Sequence, residues 1–136
     1  MLPPMGLSLA LTTLLVPDYD TALPFFTAGL GWVCRDDVPL GNSKRWVVVG
    51  PATGGAGLLL ARAASDDQRA LIGRQGGGRV WLFVHGDDLD ADLARIEAFG
   101  GRRAENPRNE SYGRVVVFLD PFGNRWDLIQ PAMLDP

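Results

Sequence analysis

The hydrophobic pattern of the first 62 residues predicts a strand, a helix and three further strands. Positions 7–16 form an apolar, partly β-branched run that stops at Pro17, and such a run is typical of a buried strand. Apolar residues then recur at helical spacing behind Asp20, which can cap a helix over 21–28. Glycine, proline and asparagine turn signals divide the remaining apolar runs into three strands. These strands are predicted at 32–38, 45–49 and 57–61.

The same order of elements restarts after a glycine-rich stretch. Positions 65–74 favour a short helix, and three glycines at 76–78 close it. A strand is predicted at 79–85, and Asp88 can cap a helix that runs to position 99. The last strands are predicted at 102–104, 114–119 and 125–129.

The two halves of the chain form an internal repeat with a spacing of 70 residues. The matched pairs are Asp18 and Asp88, Leu23 and Leu93, Phe26 and Ile96, Gly31 and Gly101, and Pro51 and Pro121. A cap, a helix stripe, a terminating glycine and a turn proline share this spacing, which favours a duplicated βαβββ unit. The predicted fold is α+β, a single domain over 1–136. Its first unit covers 7–62, its linker 63–78 and its second unit 79–131.

Composition limits the classes of partner. Apolar residues make up 46% and charged residues 21% of the 136 residues, as in ordinary globular proteins. A formal net charge of −3 indicates no basic face for nucleic acid. The run at 7–16 is too short to cross a bilayer, so no membrane partner is expected. Cys34 is the single cysteine, which excludes an internal disulfide and fits a reducing, cytoplasmic location.

Three stretches carry a resemblance to a known superfamily. They read LLVPDYDTALPFFTAGLGW, WLFVHGDDLDADLARIEAFGG and YGRVVVFLDPFGNRWDLIQP. With the repeat, they resemble the vicinal oxygen chelate superfamily of glyoxalase I, extradiol dioxygenases, and fosfomycin- and bleomycin-resistance proteins. The resemblance covers nearly the whole chain. It implies that each sheet curls into a cup with helices on its convex face, and that a homodimer completes the ligand cavities.

The resemblance also indicates which positions would hold a metal ion. Metal-dependent members carry histidine, glutamate or glutamine at four cup positions. Here those positions correspond to Leu11, the leucines at 58–60, Arg79 and Asp127. Only Asp127 can bind a metal, and one carboxylate does not hold a divalent ion. The sequence therefore predicts no metal and no cofactor. Arg79 and Asp127 are expected to pair across the cup, either as an ion pair closing a vestigial site or as a polar anchor for a ligand.

Strand alternation and chemistry select the residues that could line the cup. These are Leu11, Trp46, Arg79, Trp81, Phe83, Tyr112, Arg114 and Asp127. For the two tryptophans the competing interpretation is core packing, for Tyr112 a turn, and for Arg114 the sheet edge. His85 is expected at the rim. Cys34 lacks a visible base that would activate it.

The resemblance implies two main functions. The first is a metal-independent protein that binds a hydrophobic or aromatic small molecule in the cup, similar to the bleomycin-resistance branch. The alternative is a lyase, isomerase or dioxygenase-like enzyme acting on a small metabolite. That enzyme needs a metal site elsewhere, or acid–base chemistry by Asp127, Tyr112 or His85. A ligand-sensing or accessory role in a biosynthetic pathway is a third possibility.

Overall fold

The structure is a computed structural model that describes residue 3 and residues 5–133. Its nine strands and three α-helices, numbered in chain order, follow. They are β1 (Leu11–Val16), α1 (Tyr19–Pro24), β2 (Val33–Gly41), β3 (Lys44–Gly50), β4 (Gly57–Arg62), α2 (Asp66–Leu71), β5 (Val80–His85), α3 (Leu89–Ala98), β6 (Arg102–Arg103), β7 (Arg108–Glu110), β8 (Gly113–Leu119) and β9 (Arg125–Pro131). A π-helical segment, Phe25–Gly29, continues α1. None of the helices in the described ranges has the length and apolar character that a membrane span requires.

The strands form two sheets of matching topology. The first sheet has the order β1-β4-β3-β2, and the second has the order β5-β9-β8-β6 with β7 beside β8. Strand β1 pairs in parallel with β4, and β5 pairs in parallel with β9. All other strand pairs are antiparallel. This arrangement confirms the predicted α+β fold of tandem βαβββ units.

The two long helices begin with equivalent aspartate caps. Asp18 accepts a hydrogen bond from the Thr21 amide at 3.0 Å, and Asp88 accepts one from the Ala91 amide at 3.2 Å. The prediction that Asp88 caps the second of these helices is confirmed. The prediction that Asp20 caps the first is wrong, because Asp18 does so. The helix begins two residues earlier than predicted, and the Asp20 carboxylate pairs with Arg45 instead.

Replacing Asp18 by alanine is therefore expected to lower the free energy of unfolding by about 1 kcal/mol, the usual value of a helix cap. Replacing the exposed Asp20 by alanine is expected to cost less than about 0.5 kcal/mol, because exposed ion pairs contribute little. Urea denaturation of the two variants checks the assignment. Equal losses would contradict it.

One hydrophobic core is shared by the two units. It takes buried residues from both sheets and from α1, α3 and the π-helical segment. Phe26 lies within ring contact of Trp32, Phe122 and Trp126, which come from both halves of the chain. The helices therefore cover one face of each sheet, and the opposite faces, here called the open faces, are available for function.

The structure corrects some predicted strand bounds. Strand β1 begins at Leu11 because its register with β4 starts at Gly57, and Leu7 and Leu9 before it are exposed. The strand predicted at 102–104 is only Arg102–Arg103, and the short strand Arg108–Glu110 was not predicted. The linker is attached to the free edge of β1, where Gln75 bonds the Leu15 amide and the Thr13 carbonyl.

The turn between β8 and β9 is locked by the Asp120 carboxylate. Its oxygens accept hydrogen bonds from the amides of Phe122 and Asn124, from the Asn124 side-chain amide and from the Trp126 indole, all at 2.9–3.0 Å. Asp120 is buried, so the donors replace the water that it loses on folding. This lock fixes where β9 begins and hence which face each β9 residue occupies.

Candidate functional site

The open face of the second sheet follows from the strand register. Leu128 pairs with Val84 and with Val116, and these residues belong to the helix-covered core. Because side chains alternate along a strand, the neighbouring cross-strand group faces the other way. That group is Phe83, Asp127 and Val117, followed by His85, Ile129 and Val115. Asp127 thus lies on the open face between the apolar side chains of Phe83 and Val117.

Asp127 is buried without a partner. Its exposed fraction is 8%, and among the described residues its Oδ1 atom has no hydrogen-bond partner. Burial raises the pKa of Asp127, Arg108 lowers it and Glu105 raises it further. Arg108 forms ion pairs with Glu105 and Glu110, so it offers Asp127 little net compensation. A buried carboxylate in this state favours a hydrogen-bond donor or a proton.

Glu105 and Arg108 are site neighbours that the sequence analysis missed. The Glu105 carboxylate accepts a hydrogen bond from the Val117 amide at 3.0 Å. This amide of β8 lies between the parts of the strand that pair with β6 and with β7, so Glu105 takes the place of a strand partner. The interrupted edge strand could not be predicted from periodicity, because β6 and β7 are two and three residues long. Sequence signals for this pair of charges are therefore absent.

The predicted pairing of Arg79 with Asp127 is wrong. Arg79 precedes β5, whereas the β5 residue opposite Asp127 is Phe83, four positions later. Because Val80 is opposite Arg125, Arg79 lies about three residue rises, roughly 10 Å, from Asp127 along the strand direction. No ion pair joins them within 4.0 Å among the described residues. Among the described residues, neither side chain is paired with the other, so each can contact another group.

Two further predicted residues lie elsewhere. Arg114 does not line the open face, because it shares the helix-covered face with Val116 and its guanidinium bonds Asp90 of α3 at 2.7 Å. Trp81 lies in a register irregularity between Val80 and Leu82 and packs against the hydrophobic core. Simple alternation fails for Trp81 because a β-bulge shifts the pattern by one residue.

The open face of the first sheet is apolar. Leu11, with Gly57 opposite, begins this face on β1 and β4, and Leu59 pairs with Val48 of β3 farther along. Trp46 continues the face, is 39% exposed, and lines a pocket of about 550 Å³ with Leu59 and Ala61. A tryptophan in such a pocket can stack on a flat apolar ligand. Its role as a ligand contact stays a prediction.

Arg35 lies against this same face, and the sequence analysis assigned it no role. Its guanidinium donates to the carbonyls of Pro51 and Gly55, each at 2.8 Å. A Cβ atom at Gly50 would lie 2.6 Å from the Arg35 Cζ atom, and one at Gly57 would lie 3.0 Å from its Nη1 atom. The two strand glycines were the available signal, because glycine inside a strand often marks close approach of another group.

A third pocket, of about 350 Å³, lies between the two halves of the chain. Phe83 and His85 line it from β5, and Leu9, Thr12 and Gly57 line it from the first unit. Phe83 is 62% exposed, and Tyr112, at the turn before β8, is also exposed. Tyr112 does not line this pocket, whereas the exposed ring of Phe83 offers contact area there for a hydrophobic ligand.

The residues at the cup positions do not fit a divalent metal. Leu11, Leu59 and Phe83 carry no ligating atom, and Asp127 is the only donor among these open-face residues. Among residue 3 and residues 5–133, no three His, Cys, Asp or Glu side chains lie together as a metal site. Cys34 is exposed, and desolvation and Asp37 raise the pKa of its thiol, which disfavours the reactive thiolate.

Comparison with known proteins gives a consistent family. The model of the glyoxalase/bleomycin resistance protein/dioxygenase superfamily matches residues 8–128. An uncharacterized protein of Shewanella frigidimarina (strain NCIMB 400) is 41% identical over 128 residues, which cover 93% of this chain and 95% of that protein.

Two solved structures from Streptomyces sp. CB03234 are also similar. TnmS3, described as an antibiotic binding protein, is 28% identical with a TM-score of 0.73, and the match covers 96% of this chain and all of TnmS3. A glyoxalase/bleomycin resistance protein is 30% identical with a TM-score of 0.66, covering 90% of this chain and all of the other.

Proposed function

The chain belongs to the glyoxalase/bleomycin resistance protein/dioxygenase superfamily, and from this premise we propose that it binds a hydrophobic or aromatic small molecule on the open faces of its sheets without a metal. Apolar contacts and one polar anchor would hold the ligand, and the protein would release it unchanged. Similarity to a protein described as antibiotic binding supports this proposal.

The observation that carries the proposal is the isolated Asp127 carboxylate. A buried polar group without a partner costs about 1–3 kcal/mol, so its retention on an apolar face needs a compensating benefit. Phe83 and Val117 flank it and give apolar contact area. A ligand with a hydrogen-bond donor beside a flat apolar body would satisfy the carboxylate and cover these side chains.

A two-fold homodimer is part of the same proposal. Trp46 and Phe83 remain exposed on the open faces. Strands β1 and β5 lie at the edges of their sheets, and a second copy could cover such edges and faces in a symmetric way. Each ligand cavity would then be enclosed between the open faces of two chains.

The enzyme alternative has weaker support. Metal-dependent lyase, isomerase or dioxygenase chemistry requires ligands that the cup positions of this chain do not provide. Metal-free acid–base chemistry would rely on one of the three predicted groups, Asp127, His85 or Tyr112. His85 is exposed at the end of β5, and no hydrogen bond from another described residue orients it as a catalytic base requires.

The test is a screen of hydrophobic and aromatic antibiotics by thermal shift, with and without EDTA. A ligand is expected to raise the melting temperature equally in both conditions, because binding to the folded state alone stabilises it. Phe83→Ala is expected to weaken that ligand by about tenfold through lost aromatic contact, and sedimentation velocity reports the oligomeric state.

The matched control is Phe99→Ala. Phe99 is an exposed phenylalanine at the end of α3, away from the open faces. Equal weakening by both substitutions, a shift that EDTA abolishes, or turnover of the bound compound would each contradict the proposal.

A further inference from the structure

Three arginines surround an open pocket at the junction of the linker and the second sheet. The pocket has a volume of about 670 Å³. Arg74, Arg79 and Arg125 line it, together with a run of glycines at 76–78 and the side chain of Asn124. Among residue 3 and residues 5–133, no aspartate or glutamate lines it. It is separate from the pockets that contain Trp46 and Phe83.

The fold brings these three cations together from distant positions in the sequence. Arg79 immediately precedes Val80, and Val80 pairs with Arg125 in the parallel β5–β9 ladder. Arg74 is placed beside them because Gly73 approaches the turn before β9. A Cβ atom at Gly73 would lie 1.9 Å from the Phe122 carbonyl oxygen, and its φ is +74°. Only glycine permits this approach without a shift of the backbone.

The three guanidinium groups have no counter-charge within the described part of the chain. None of them forms an ion pair within 4.0 Å or donates a hydrogen bond there, whereas six other arginines pair with carboxylates. The whole protein carries a formal charge of −3, so acids are plentiful but are kept away from this pocket. A bound anion would supply the counter-charge that these three side chains lack in the described part of the chain.

Backbone donors add to the positive surroundings. Two backbone hydrogen bonds close the turn. The Gly77 amide donates to the Arg74 carbonyl, and the Arg79 amide donates to the Gly76 carbonyl. The amides of Gly76 and Gly78 donate no such bond among the described residues, and both glycines line the pocket. Free amides beside arginines are the usual donors for tetrahedral oxyanions.

We propose that this pocket binds a phosphate group through Arg74, Arg79 and Arg125. The planar guanidinium groups supply paired donors for phosphate oxygens, and the glycine turn lets the anion approach the backbone. The phosphate is either free or the terminal group of an organic phosphate. The site does not depend on the ligand proposed for the open faces, although Arg125 stands two residues before Asp127 on β9.

Isothermal titration calorimetry at constant ionic strength tests the site with three probes: inorganic phosphate, phenyl phosphate and uncharged phenol. Both phosphates are expected to bind, and phenol is not. Arg79→Gln and Arg125→Gln are each expected to weaken phosphate binding at least about tenfold, because each removes charge-assisted hydrogen bonds. Arg125→Lys keeps the charge but loses the paired donors, so an intermediate loss is expected.

Arg62→Gln is the matched control. Arg62 is exposed at the end of β4, forms no ion pair within the described residues and lies outside this pocket. An equal loss in this variant would show general attraction to a cationic surface and overturn the proposal, as would the absence of phosphate binding. Tighter binding of phenyl phosphate would identify an organic phosphate as the ligand, and equal binding would identify the free ion. Thermal unfolding without phosphate confirms that each variant is folded.

Discussion

Replacing Asp120 by alanine is expected to lower the free energy of unfolding by about 3 kcal/mol or more. The substitution removes the acceptor of four hydrogen bonds and leaves the Trp126 indole and the Asn124 side-chain amide without a partner. Each buried unsatisfied donor costs about 1–3 kcal/mol. Trp126 is also one of the largest buried side chains of the core, so its indole cannot turn toward water without loss of packing.

Urea denaturation at neutral pH measures this effect. Asp67→Ala is the control, because Asp67 is an exposed aspartate of α2 and its loss is expected to change stability by less than about 0.5 kcal/mol. Asp120→Asn is expected to be intermediate, since an amide can accept from some of the donors but presents its own N–H groups to the others. A loss below about 1 kcal/mol in Asp120→Ala would show that the turn does not depend on this carboxylate.

The fold was predictable because its signals are local. An aspartate cap and a helical stripe recur after 70 residues, and the structure shows Asp18 and Asp88 in equivalent capping positions. The proline–phenylalanine–glycine turn after Asp120 likewise identifies the end of β8 and the start of β9 from residues that are neighbours in sequence. Capping and turn chemistry act over three or four residues, so they can be seen without knowledge of the tertiary structure.

The site was only partly predictable because it depends on register. Alternation placed Asp127 on the open face correctly, since β9 is regular from Arg125 onward. It failed for Trp81, where a bulge shifts the register, and it could not place Arg114, which an ion pair with Asp90 holds on the helix side. The Arg79–Asp127 pairing failed because a one-strand prediction cannot give the stagger between parallel neighbours.

Strand β9 carries two charges of opposite sign that form no ion pair within the described residues. Arg125 faces a pocket of cations, and Asp127, two residues later, faces apolar side chains and is buried. Alternate residues on one face of a strand lie about 7 Å apart, yet Arg125 and Asp127 do not pair with each other among the described residues. Each group is therefore available to a separate ligand, Arg125 to the proposed phosphate and Asp127 to the open-face ligand.

Replacing Asp127 by asparagine is expected to stabilise the protein at neutral pH while weakening ligand binding. Burial raises the pKa of Asp127 above its ordinary value of 3.8. Below that value the carboxyl is protonated in both states. As the pH rises through the raised folded-state pKa, the unfolded chain is already ionised but the folded chain must bury the charge, so wild-type stability falls. Asparagine also places a polar group there but cannot ionise, so at pH 7 the variant should be more stable by about 1 kcal/mol, the extra cost of burying a charged rather than a neutral polar group.

Urea denaturation between pH 3 and pH 8 tests this pH dependence of stability. Asp67→Asn is the control, because Asp67 is exposed. The two curves of wild type and Asp127→Asn should meet near pH 3 and diverge toward pH 7, and the control should follow the wild type. A variant that is less stable at pH 7 would show that the ionised carboxylate supports the fold, and Asp127 would then be a structural residue. A variant that is more stable but binds the open-face ligand at least about tenfold more weakly would show that stability is given up at this position for recognition, as at other functional sites.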